Sequence, residues 1–148
     1  MPEWSRTLYI GAFVLWAIAL SRWDFREHRL PDVLTLPAYP VAGVAVAAMA
    51  PQNLGESAAL AVSALAVAWF AHIAVDLGFG DVKLLGACAL TLGFTANPTG
   101  SATVALAATT LVAGIHAVIH LVVTRDRRSH IPLGPSILFG ALVGVASG

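Results

Sequence analysis

Long uncharged runs separated by short charged clusters set the rhythm of the chain. Thr7 to Ser21, Val33 to Ala50 and Ser57 to Val75 contain no Asp, Glu, Lys or Arg. The third is about as long as a helix must be to cross a bilayer. Leu84 to Thr124 is also uncharged but too long for one crossing. The turn chemistry of ANPTG (Ala96–Gly100) divides it into a short run, Leu84–Thr95, and a longer one, Ser101–Val123. A last run extends from about Pro132 to Ser147. The pattern predicts an all-α membrane protein, with six transmembrane helices in a single domain over residues 1–148.

Composition strengthens that expectation. Hydrophobic residues make up 58% of the 148 and charged residues 11%, with a mean hydropathy of +0.82. A soluble domain carries roughly a quarter charged residues, so there is too little polar material here to cover a surface in water. The lipid bilayer is the expected surrounding. Formal net charge is zero, which gives nucleic acid no support as a partner. The single cysteine, Cys88, lies inside an apolar run and excludes both an internal disulfide and a CxxC zinc module. Its expected role is core packing.

Charge placement sets the orientation. Arg22, Arg26, Arg29, Lys83, Arg125, Arg127 and Arg128 fall in the three loops of one face, which holds seven of the eight basic residues. That face is expected to be cytoplasmic, with both termini outside, in a multi-pass protein of the cell's inner membrane. The first run contains Ala17 and Ala19 in an A-x-A pattern, but its basic residues follow rather than precede it. A cleaved signal peptide needs the opposite arrangement.

Acids are expensive beside a membrane, so their positions carry information. Asp24 closes the first run and Asp81 opens the fourth, both at the cytoplasmic boundary, where Asp32 and Asp76 also lie. Glu3 and Glu56 face the other way, and Glu27 and Asp126 read as loop charges. Each aspartate taken singly has an ordinary explanation. Gly78 suits the end of the third helix and Asp81 the N-cap of the fourth, while Pro31 and Asp32 suit a helix start. Capping does not explain why aspartates gather on one face, because Ser, Thr or Asn cap without a charge.

These segments resemble a known family. GFGDVKLLGA (Gly78–Ala87) is similar to the GxGD-plus-lysine signature of type IV prepilin peptidases and archaeal preflagellin peptidases. DFREHRLPDVLTLP (Asp24–Pro37) resembles their other aspartate signature, and IPLGPSILFGA (Ile131–Ala141) the segment that begins their last helix. The resemblance implies an aspartic endopeptidase with Asp24 and Asp81 as its catalytic pair. Arg29, Pro31, Asp32, Gly78, Gly80 and Lys83 are the motif residues around them. It implies cleavage of the basic leader of prepilin-like precursors at the cytoplasmic membrane boundary, with no metal and no cofactor. The long bacterial enzymes carry a further cytoplasmic region with paired CxxC cysteines, linked to methylation. This chain lacks those cysteines, so the expectation is the peptidase core alone, as in the short enzymes of tight-adherence (Flp-type) pilus systems.

Two readings from other classes compete. His116 and His120 lie four apart on the fifth run, as do His72 and Asp76 on the third, a spacing that a small transporter or ion-binding protein would use. A non-catalytic subunit of a pilus or secretion machine is the other. Runs such as VAGVAVAAMA permit close helix packing within one chain or in a homodimer, and do not choose between them.

Overall fold

The computed structural model describes residues 3–27, 30–75, 77–124 and 133–148. Seven α-helices form among them. They are α1 (Glu3–Glu27), α2 (Asp32–Thr35), α3 (Ala38–Met49), α4 (Leu54–Val75), α5 (Phe79–Thr91), α6 (Pro98–Thr124) and α7 (Gly134–Ser147). Single 3₁₀ turns follow α3 at Pro51–Asn53 and α5 at Leu92–Phe94. Pro37 and Pro40 account for the break in the second apolar run. A proline lacks the N–H that a helix interior needs but fits its first turn, so the run becomes α2 and then α3, with Pro37 capping the latter.

Among the described residues, three stretches are long and apolar enough to cross a membrane: Asp32–Met49, Pro51–Ala74 and Pro98–Val122. α7 is apolar but only 14 residues long, and α5 has 13. α1 has 25 residues, yet the uncharged part within it stops at Ser21. Helices here outrun the apolar stretches because helical hydrogen bonding continues through Arg22, Asp24 and Arg26.

α5 is the centre of the bundle. Its residues Val82, Leu84, Gly86, Ala87, Cys88, Leu90 and Thr91 are buried, so it is apolar on nearly every side, as an enclosed helix must be. It packs along α4 and against α3 and α7, while α7 also lines α6 and α1. Outer faces carry large apolar side chains, among them Leu15, Val44, Phe70, Ile73, Leu106 and Val122. Buried positions include Thr35, Ser57, Thr95, Ser101 and Ser136. Such an inverted distribution, with small polar groups inside and large hydrophobes outside, suits helices packing in lipid.

The tightest seam lies between α6 and α7. A Cβ at Gly140 would strike Thr109 Oγ1 and come within 2.5 Å of the Ala105 carbonyl oxygen; one at Gly144 would come within 2.8 Å of the Ser101 carbonyl. Only hydrogen at these positions lets the two backbones approach so closely. The helices run antiparallel, each step of four residues on α7 matched by four on α6.

Candidate active site

One apolar cluster organises the end of the bundle where α5 and α7 begin. Phe13 and Leu20 enter it from α1, Leu84 and Cys88 from α5, and Ile137, Leu138 and Ala141 from α7. Leu20 and Leu84 are fully buried. Asp24 stands one helical turn beyond Leu20, and Asp81 one turn before Leu84. Because α1 runs towards this end and α5 runs away from it, both carboxyl groups cap the same cluster. The fold therefore brings together two aspartates 57 residues apart in the chain.

Each is placed by its helix. Asp24 is buried, at 5% exposure, with Gly134 at the start of α7 beside it. A Cβ on Gly134 would lie 2.7 Å from Asp24 Oδ2. Asp81 lies in the first turn of α5, ahead of the apolar stretch that starts at Leu84. Gly78, extended at φ −55° and ψ 133°, caps that helix: its carbonyl oxygen accepts from the Asp81 and Val82 amides at 3.0 and 3.2 Å. This corrects the capping expectation, in which Gly78 ended the third helix and Asp81 was the N-cap. Asp81 stands three residues inside, still in the first turn.

Burial pushes the Asp81 carboxyl up to about 7, and the nearby Asp24 charge raises it further in the same direction. The helix N-terminus works the other way, but at roughly 0.3–1 kcal/mol it is too weak to offset desolvation. Asp81 thus holds its proton far more readily than an ordinary carboxyl, and Asp24 is near enough to be felt.

Pro31 and Asp32 lie at the start of α2, and Gly78, Gly80 and Lys83 at the start of α5. Pro31, extended at φ −71° and ψ 133°, starts α2, and its carbonyl oxygen accepts from Leu34 and Thr35 amides at 3.0 and 3.2 Å. Asp32 pairs with Lys83, Oδ1 to Nζ at 2.7 Å, and the Lys83 ammonium stands 4.4 Å over the Phe79 ring. Lys83 thereby joins α2 to α5 with its side chain. Its backbone joins α3, since the Tyr39 hydroxyl donates to its carbonyl oxygen at 2.7 Å. Gly80 lies against Leu30. Arg29 and Asp76, with the loop Arg125 to Ile131, lie outside the described residues.

His72 is held locally, its Nδ1 at the Leu77 carbonyl and its ring against Trp69 and Phe79. Sequence reasoning missed Leu30 and Gly134 as neighbours of the pair. Gly134 stands within the Pro-x-Gly-Pro segment, whose glycine was the available signal, whereas nothing in the local pattern distinguishes Leu30 from any other leucine.

No curated protein and no solved structure matches the chain. The type IV leader peptidase family matches it over residues 11–122, a stretch that contains both aspartates and ends before α7. Most of the chain is covered by that match, and the protein belongs to the type IV leader peptidase family.

Proposed function

We propose that the protein is a membrane-embedded aspartic endopeptidase that removes the basic leader from type IV prepilin-like precursors, of the Flp or tight-adherence class. The observation that carries this reading is the meeting of Asp24 and Asp81 at one end of a shared apolar cluster, where burial raises Asp81. Two neighbouring carboxyl groups do not both ionise readily, so the pair holds one proton at neutral pH. The ionised member takes a proton from water, whose oxygen attacks the scissile carbonyl, and the protonated member donates to the carbonyl oxygen. The two titrate as a unit, so acid and base roles belong to the pair.

The remaining expectations fit around this chemistry. With six spans and seven of eight basic residues on one side, the carboxylate end faces the cytoplasm of an inner-membrane protein. A precursor whose apolar helix lies in the bilayer would present its leader at that depth. Arg29, Pro31, Asp32, Gly78, Gly80 and Lys83 support the pair.

Co-expression of wild type, Asp24→Asn and Asp81→Asn with Flp-type prepilins, followed by sequencing of the new N-terminus, tests the reading. A cut after the basic leader that is lost in both variants at equal expression is the expected result. Normal processing by either variant would remove the pair from the mechanism.

A further inference from the structure

Leu30 packs against the two glycines that neighbour the carboxyl groups, Gly80 and Gly134. A Cβ on Gly80, the residue before Asp81, would meet Leu30 Cβ at 2.9 Å and Cδ1 at 3.4 Å. A Cβ on Gly134 would meet Leu30 Cδ2 at 3.6 Å and Asp24 Oδ2 at 2.7 Å. One branch of the leucine thus rests on α5 beside Asp81, and the other reaches α7 beside Asp24. Both contacts exist because those positions are glycine.

Two bonds hold the segment after the leucine from the outside. Extended Pro31 turns the chain into α2, whose Asp32 is tied to Lys83 at 2.7 Å. The Trp16 indole N–H of α1 donates to the Leu34 carbonyl oxygen at 3.0 Å. Lys83 is itself seated on Phe79 and bonded through its carbonyl to Tyr39. The segment is therefore clamped to α1 and α5, the two helices that carry the carboxyl groups. Leu30 is thereby fixed against the glycines next to both carboxyl groups, where a peptide bound to the pair would meet it.

We propose that Leu30 is a specificity-determining wall of the cleavage site, limiting the size of the substrate residue next to the scissile bond, and that the Lys83–Asp32 pair positions it. This rests on the peptidase reading above. The exchange at stake is apolar volume: a site one methylene larger or smaller changes discrimination by roughly 10- to 200-fold. Lys83 and Asp32 act through Leu30 and are positioning residues.

The test uses the full chain in membranes with a prepilin series carrying Gly, Ala, Leu, Phe or Trp beside the cut. Leu30→Ala should move the ratio of large-residue to small-residue cleavage upward by roughly tenfold, and Leu30→Trp downward by a similar factor. Lys83→Asp should blunt the wild-type size preference, and the exchanged pair Lys83→Asp with Asp32→Lys should restore it, which a purely structural effect on protein level would not do. Should Leu30→Ala accumulate poorly, Leu30→Met and a photo-crosslinking residue at position 30 replace it, with crosslinks expected beside the scissile bond. An unchanged size profile in the Leu30 variants, or an active crosslinker variant that never captures that region, overturns the proposal. Wild type that cuts no precursor, or Asp24→Asn and Asp81→Asn that cut normally, would instead bring down the peptidase reading on which it rests.

Discussion

The two ends of the bundle are built on opposite terms. At the end away from the carboxyl groups, polar side chains are consumed in stapling loops together. Asn53 donates to the Gly93 and Thr95 carbonyl oxygens at 3.0 and 2.8 Å, and Glu56 accepts from the Thr99 amide at 3.0 Å and from its hydroxyl. Tyr9 stacks on Phe94, and the Ala96 amide donates to the Gly148 carbonyl. At the other end, a buried and a partly buried carboxyl group share one apolar floor, with glycines where neighbours would otherwise crowd them. One end invests its polar groups in holding the fold; the other holds a charge where charge is costly. Polar groups that satisfy backbone carbonyls read as structural, and carboxyl groups kept in apolar surroundings read as chemical.

The largest break in that comparison comes from the carboxyl groups themselves. Asp24→Asn or Asp81→Asn keeps the size of the side chain and removes its acid–base function. We expect cleavage to fall by on the order of 10² to 10⁴, measured as precursor processed per unit of membrane protein, with insertion unchanged. Next in size is Gly134→Ala. Its new methyl group would sit 2.7 Å from Asp24 Oδ2, so the carboxyl group must move. Displacements of this kind weaken cleavage by roughly ten- to a hundredfold. Activity retained in full would mean that the Asp24 side chain has room the geometry does not suggest.

Much of this arrangement is legible in the sequence, for identifiable reasons. Uncharged runs mark the bundle because lipid selects apolar residues, and the loops at ANPTG and around Pro31 follow from turn and proline chemistry. Helix ends are harder. Hydropathy marks where lipid stops, whereas α1 continues as helix through Arg22, Asp24 and Arg26 to Glu27. Acids favour the cap position, which points Asp81 there, but the extended backbone of Gly78 performs that role instead. The two aspartates stand out by their cost at a membrane boundary. Leu30 does not, because its place beside them arises only when α1, α5 and α7 meet.

A third prediction exploits the raised Asp81 carboxyl. Unfolded, it ionises near 3.8; folded, near 7. Below pH 3.8 both states are protonated, and this residue imposes no penalty. As pH rises towards 7 the unfolded chain releases its proton first, so stability falls, then levels off once the folded state ionises as well. Asp81→Asn abolishes that dependence. Thermal unfolding in detergent should show the variant outlasting wild type at pH 8 and matching it at pH 4. Equal stability at both values would mean that Asp81 meets no desolvation in the fold.

The smallest effect belongs to the stapled end, and it should leave chemistry alone. Asn53→Ala removes two donors from the Gly93 and Thr95 carbonyls, at roughly 1–3 kcal/mol for the groups left unsatisfied. Asn53→Asp should be worse, although it changes only an amide to a carboxylate, because an acceptor then faces two acceptors. Both variants should melt earlier than wild type in detergent, Asn53→Asp at a lower temperature than Asn53→Ala. Cleavage per folded molecule should stay at the wild-type level in each, since this staple and the carboxyl groups lie at opposite ends of α5. A loss of cleavage without a loss of stability would show that the two ends are coupled through that helix, and the division between a holding end and a reacting end would fail.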